Sequence, residues 1–222
     1  DGTAVRVQAW VDLDEPALDL DPAALGRLVA GLHRVDFAGT IGLDAWYSAA
    51  VGEPAWTSLA RDLAARRAPF ADELAALVPE LVALETCLGG PLRDLRTCHR
   101  DLWADNVRRT ASGELCVFDF DNAGLADPSQ ELAAVLVEHA GADSARARAI
   151  RSAYEAAGGP GRVRRPTDFG MAVAQLCHIL ETGCRRWLRA TTDADRAENE
   201  AWVREFLDRP IDRNLIESLL SG

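Results

Sequence analysis

The sequence predicts a mostly helical α+β fold arranged around one small β-hairpin. Three observations carry this. Apolar residues recur at helical spacing through most of the 222 residues, the signature of helices with one buried face. Gly and Pro punctuate them at intervals that leave helix-length segments. Near the middle, VRR, ASGE and LCVFDF read as strand, turn and strand, with Ser112-Gly113 supplying the turn. An apolar content of 48% and six Trp are enough for a proper core and exclude a disordered chain.

Taken in order, Asp1-Gly2 reads as a hairpin turn and AVRVQAWVDL as the strand after it. Residues 12–20 form an acidic linker with Pro16. A helix follows from Pro22 to His33, with Asp21 as N-cap, Pro22 in the first turn and apolar Leu25, Leu28, Val29 and Leu32. Residues 36–54 are Gly-rich and irregular and carry Trp46 and Tyr47. Helices over 55–67 and 70–88 are split by Pro69, and Gly89-Gly90-Pro91 ends the second. A short strand in LRTC enters the loop before the hairpin, the whole unit covering 95–120. Helices are then expected over 128–140, 144–157, 167–190, 194–207 and 212–220, broken at 158–161 and at Pro210.

Composition narrows the function. Net charge is −11, and all 24 basic residues are Arg. Nucleic acid is therefore not an expected partner, since phosphate backbones need a basic face. The clusters Arg162, Arg164, Arg165 and Arg185, Arg186, Arg189 read as solvated faces and helix ends. An acidic surface favours a cationic small molecule, and equally serves solubility alone. No run reaches 18 apolar residues, so no membrane helix is expected. The start lacks the pattern of a signal peptide, and five Cys without C-x-x-C spacing suit buried, reduced thiols in a cytoplasm.

The chemistry is concentrated in CHRDLWADN and VFDFD. His99, Asp101 and Asn106 stand at the spacing H-x-D-x-x-x-x-N, and Asp119 closes the apolar run that follows. Singly, each could be a turn or capping residue. A hairpin, however, brings the loop before one strand beside the end of its partner. One carboxylate can then orient a nucleophile, while an amide oxygen and a second carboxylate hold Mg²⁺ against phosphates. The sequence has neither a Gly-rich phosphate loop nor a lysine to contact phosphate.

The segment from Thr97 to Ala133 resembles the aminoglycoside phosphotransferase and choline kinase-like family, which has the protein-kinase-like fold. CHRDLWADNV resembles its catalytic loop, VFDFDNAG its metal-binding segment, ADPSQELA its D-P-x-x-D-L-A helix start, and LGRLVAGLHRV its helix ending in Leu-His. The resemblance implies an ATP- or GTP-dependent phosphotransferase acting on a hydroxyl of a small molecule. Asp101 would be the catalytic carboxylate, Asn106 and Asp119 the Mg²⁺ ligands, and His99 a structural brace. Asp127 and Glu131 would tie the catalytic loop to the next helix, with Glu131 standing where Asp is usual.

It also implies that residues 1–20 are a hinge strand and linker, with Gln8, Ala9, Trp10 and Val11 meeting the nucleotide base. Residues 21–222 would be the helical C-terminal lobe, with most of the N-terminal lobe absent. The exposed inter-lobe face would then offer a surface for self-association. Trp103, Asp121, Glu181 and Trp187 are the expected acceptor-pocket residues, with Asp193, Asp195, Glu198 and Trp202 as further candidates. A non-catalytic binding module derived from a kinase lobe is the alternative; a eukaryotic-type protein kinase is not, because DFDNAG departs from D-F-G and no A-P-E segment follows.

Overall fold

The computed structural model describes residues 10–35, 42–208 and 211–221. Among these residues the chain runs through α1 (Pro22–His33), α2 (Glu53–Ala65) and α3 (Ala71–Leu84), then four three-residue strands. These are β1 (Arg96–Cys98), β2 (Val107–Arg109), β3 (Leu115–Val117) and β4 (Gly124–Ala126). After them come α4 (Pro128–Ala140), α5 (Ser144–Ala156), α6 (Gly170–Arg189), α7 (Asp193–Leu207) and α8 (Arg213–Ser221). No helix among the described residues is long and apolar enough to cross a membrane.

The helix ends follow from local chemistry. Asp21 caps α1 through the amide of Ala24 at 2.8 Å, and Pro22 occupies the first turn, where its missing N–H costs nothing. Asp127 caps α4 in the same way, through Ser129 N at 2.8 Å. The helix expected to run to residue 88 stops at Leu84 and tightens into a 3₁₀ turn over Glu85–Cys87. There the buried Glu85 carboxylate accepts from Val51 N, Gly52 N and Trp56 Nε1, which fixes the chain before α2. The start expected at 167 is likewise a 3₁₀ turn, Pro166–Phe169, before α6 proper.

The strands form two antiparallel pairs, one nested inside the other. β2 and β3 pair Val107 with Val117 and Arg109 with Leu115, and Gly113 takes φ 84° at the turn. Around them β1 pairs with β4, Arg96 opposite Ala126 and Cys98 opposite Gly124. The inner pair is the expected hairpin; the outer pairing is a feature that the sequence reading lacked. The expected first strand fares differently. Asp1-Gly2, Gln8 and Ala9 lie outside the described residues. Trp10 is 89% exposed and belongs to no strand, and among the described residues of this segment Leu13 is the one that bridges the hairpin, at Thr110.

One continuous core includes Leu25, Trp56, Phe70, Leu132, Phe169 and Trp187. α1 and α5 approach so closely that a Cβ on Gly26 would lie 2.3 Å from the carbonyl oxygen of Ile150. Backbone cannot yield as a flexible side chain does. Gly26→Ala is therefore expected to cost about 1–3 kcal/mol of stability by overpacking. Urea unfolding measures it, and an unchanged midpoint would show that the two helices are not in this contact. All five cysteines are free thiols, four of them buried. Burial pushes Cys177 and Cys184 up to about 12, so both stay protonated and inert.

Candidate functional site

The nested strands leave two inner connections, residues 99–106 between β1 and β2 and residues 118–123 between β3 and β4. Every polar residue of the motif lies on one of them. Phe118 N donates to Asn106 O at 3.3 Å, so the ends of the two connections touch. Asp119 follows immediately, exposed and in the left-handed region at φ 60°, an uncommon conformation for a residue with a Cβ.

Asp101 is half-buried, and two side-chain amides hold its carboxylate. Asn106 Nδ2 donates to Asp101 Oδ2 at 3.0 Å, and Asn122 Nδ2 donates to the same oxygen at 3.0 Å. Burial raises the Asp101 pKa. The Asn122 hydrogen bond and nearby His99 act against this, while the charge of Asp119 adds to it. Because Asn106 commits its Nδ2 to Asp101, its amide oxygen is the atom left for a cation. That oxygen and the Asp119 carboxylate are hard donors of the kind Mg²⁺ takes, so the residues present fit that ion.

The loop bearing Asp101 is braced from below. His99 is 2% exposed, and its Nε2 donates to Phe118 O at 2.9 Å, tying one inner connection to the other. Its ring packs edge-on against Phe120 with centroids 4.5 Å apart. Glu131 on α4 is 1% exposed, and its carboxylate accepts from His99 N at 3.2 Å and from Arg100 N. It also meets His33 Nε2 at 2.6 Å, and His33 Nδ1 meets Tyr154 Oη at 2.8 Å. Desolvation works against a charged Glu131, but these hydrogen bonds and the charges of the two histidines outweigh it and hold the pKa below the usual glutamate range.

His33, Cys98 and Glu131 offer ligand atoms within 4.8 Å of one another, a spacing a metal could use. Both nitrogens of His33 are already engaged, and burial drives the Cys98 thiol strongly upward. The cluster is a closed hydrogen-bond network. Asp127 makes a different connection from Glu131. Besides capping α4 it accepts from Arg93 N at 2.8 Å, which anchors the approach to β1.

The motif's middle residue is gripped on all sides. Arg100 takes φ 64° and is 3% exposed. Its carbonyl accepts from Gln175 Nε2 at 2.8 Å, its Nε donates to Asn122 O at 2.6 Å, and its guanidinium lies 4.4 Å over the Tyr47 ring. Trp46 stacks on His178 of α6 with centroids 5.3 Å apart. Neither Asn122 nor this aromatic edge is among the residues the sequence pointed to.

Of the expected acceptor residues, only some lie near Asp101. Trp103 lines a small cavity under the loop with Arg100, Glu131, Met171 and Gln175, and Asp121 is exposed beside Asn122. Glu181 is ion-paired with Arg185 on the same helix. Trp187 is elsewhere: it lies twelve positions (187 − 175) past Gln175, about 18 Å along α6 at 1.5 Å per residue. It is buried in the core, edge-on to Phe70 with centroids 5.7 Å apart. A cavity of about 460 Å³ opens beside it between Arg66, Arg67, Asp193 and Arg196, at the far end of α6 from the chemistry. Trp202 likewise packs against Arg186, 4.6 Å from its ring.

A helical lobe built around two nested hairpins, with a carboxylate, an amide and a second carboxylate on their inner connections, defines a chain of the protein-kinase-like class. A family model described as a phosphotransferase enzyme family matches residues 1–169, and the chain belongs to that family. No curated protein matches the sequence significantly. The fold is similar to that of spectinomycin phosphotransferase solved with ADP and spectinomycin, at 17% identity over 91% of this chain and 66% of that one, TM-score 0.60. The AMP-bound form of that enzyme matches at 16% identity over 92% of this chain and 67% of that one, TM-score 0.59. An aminoglycoside phosphotransferase from Alicyclobacillus acidocaldarius matches at 17% identity over 96% of this chain and 69% of that one, TM-score 0.57. This chain spans about two thirds of the length of these proteins.

Proposed function

We propose that this chain transfers the γ-phosphoryl group of ATP or GTP to a hydroxyl of a small molecule. The observation that carries the reading is the Asp101 carboxylate, fixed by two amides on the edge of a loop whose neighbour presents Asp119. Asp101 would accept a hydrogen bond from the acceptor hydroxyl and take its proton as the new O–P bond forms. The bond between the γ-phosphorus and the β–γ bridging oxygen breaks, and nucleoside diphosphate leaves. Little covalent work falls to the protein; positioning and electrostatics do most of it. Asn106 and Asp119 would hold Mg²⁺, which when bound neutralises charge on the phosphates.

In this reading residues 1–20 are hinge and linker, with Gln8 to Val11 beside the base, and residues 21–222 carry the catalytic and acceptor side. The net charge of −11 favours a cationic acceptor such as an aminoglycoside, with Trp103 and Asp121 nearest to it. Five free thiols suit a cytoplasmic setting.

The test is calorimetric titration with Mg²⁺ and a non-hydrolysable ATP analogue, followed by turnover of MgATP with aminoglycoside and amino-alcohol acceptors. Metal-dependent binding and turnover are expected. Failure of both would favour the non-catalytic binding module instead. Asp119→Ala is expected to raise the Mg²⁺ concentration needed for half-maximal rate at least about tenfold, in line with the loss of a direct ligand. An unchanged metal requirement would remove Asp119 from the ligand set.

A further inference from the structure

We propose that Asn122 is a positioning residue for Asp101, holding the carboxylate by Oδ2 so that Oδ1 is turned to the acceptor; this rests on the reading of Asp101 given above. Asn106 and Asn122 reach the same oxygen from opposite inner connections, each at 3.0 Å. Asn106 is called on twice, since its Nδ2 also donates to the backbone oxygen of Asp101 at 3.0 Å. The Asn122 side-chain amide is committed to the Asp101 carboxylate alone on that loop.

Its side chain is exposed, but its backbone is not free to wander. Asn122 O accepts from Arg100 Nε at 2.6 Å, and Arg100 is almost wholly buried. Gly124 leaves room for that guanidinium where it stands: a Cβ there would lie 2.4 Å from Arg100 Nη2. Arg100 is in turn held by Gln175 at its carbonyl and by Glu131 at its amide. The residue before Asp101 therefore sets where Asn122 stands, and Asn122 sets one oxygen of Asp101. Rotation about the Cβ–Cγ bond would carry Oδ2 away from its donors, so two donors on that oxygen resist it more than Asn106 alone. A displacement of about 1 Å in a reacting group can cost about a hundredfold in rate.

Two measurements on the intact protein test this. In ¹⁵N-labelled protein, Asp101→Ala is expected to shift the side-chain amide resonances of both Asn106 and Asn122. An Asn122 resonance that does not respond overturns the contact and the proposal. In turnover of MgATP with water as acceptor, Asn122→Ala is expected to lower kcat about tenfold to a hundredfold. The KM for ATP should stay within about twofold, and Asn122→Ser, which keeps a short donor, should recover part of the loss. In an Asp101→Ala background the same Asn122→Ala change is expected to cost less than about twofold, because a residue acting through a partner is silent once the partner is gone. An equal cost in both backgrounds, or full activity in Asn122→Ala, overturns the proposal alone. Wild-type protein that does not turn over MgATP would overturn the reading of Asp101 and this proposal with it.

Discussion

Asp101→Asn is expected to lower kcat by about 10²–10⁴, the range typical of a positioned acid–base group, while leaving nucleotide affinity within about threefold. The substitution preserves volume but removes the basic oxygen. The amide oxygen can still accept from Asn106 and Asn122, which both donate to Oδ2 at 3.0 Å, so an NH₂ then stands where the other, basic oxygen was. Steady-state rates at saturating acceptor, with the nucleotide Kd measured separately, check it; wild-type turnover would remove Asp101 from the chemistry. A pH dependence accompanies this. Burial keeps Asp101 protonated to higher pH than an ordinary aspartate, and only the ionised form accepts a proton. The acid limb of kcat/KM is therefore expected above the normal aspartate range and not below it.

The largest effect on stability is expected at Glu131. In wild type His33 and His99 N share Oε2 while Arg100 N has Oε1; Glu131→Gln leaves one acceptor oxygen for these three donors and presents an NH₂ where a charge is needed. Breaking a buried, paired charge typically costs about 3–5 kcal/mol. The sign with pH follows from the depressed pKa of Glu131. The folded state binds this proton less readily than the unfolded chain, so the carboxylate's contribution is fully present above its ordinary value of 4.5. It is lost as pH falls through the lower folded value. Urea midpoints of wild type and variant should differ widely at pH 7 and converge in acid. A gap that stays constant down to acid unfolding would show that charge is not what Glu131 contributes.

What was legible in the sequence is what local chemistry determines. Asp21-Pro22 and Asp127-Pro128 announce two helix starts, and the structure begins α1 and α4 at those prolines. Ser112-Gly113 announces the inner hairpin. The pairing of β1 with β4 was hidden because Gly124–Ala126 carries no β-branched residue and its partner lies far away in sequence. Whether Glu131 could stand in for Asp depended on the gap between α4 and the loop, a distance that no pattern encodes. Asn122 escaped notice because its role needs two connections folded against each other. Trp187 is expected on the acceptor side because the resemblance puts that site against the C-terminal helices and an aromatic wall suits a sugar or ammonium; neither says which end of a long helix lies near the chemistry.

The nesting of the hairpins bears on how this protein can be altered. Residues 99–106 and 118–123 are each held at both ends by paired strands, so one inserted residue there would have to bulge between fixed ends and would displace the side chains of the site. The tip at Ser112-Gly113 lies outside that closure and is exposed. A lengthened loop at this point adds only a small closure entropy, about 0.6 kcal/mol per doubling. It is the place to attach a reporter or an affinity tag within reach of the site without moving Asp101.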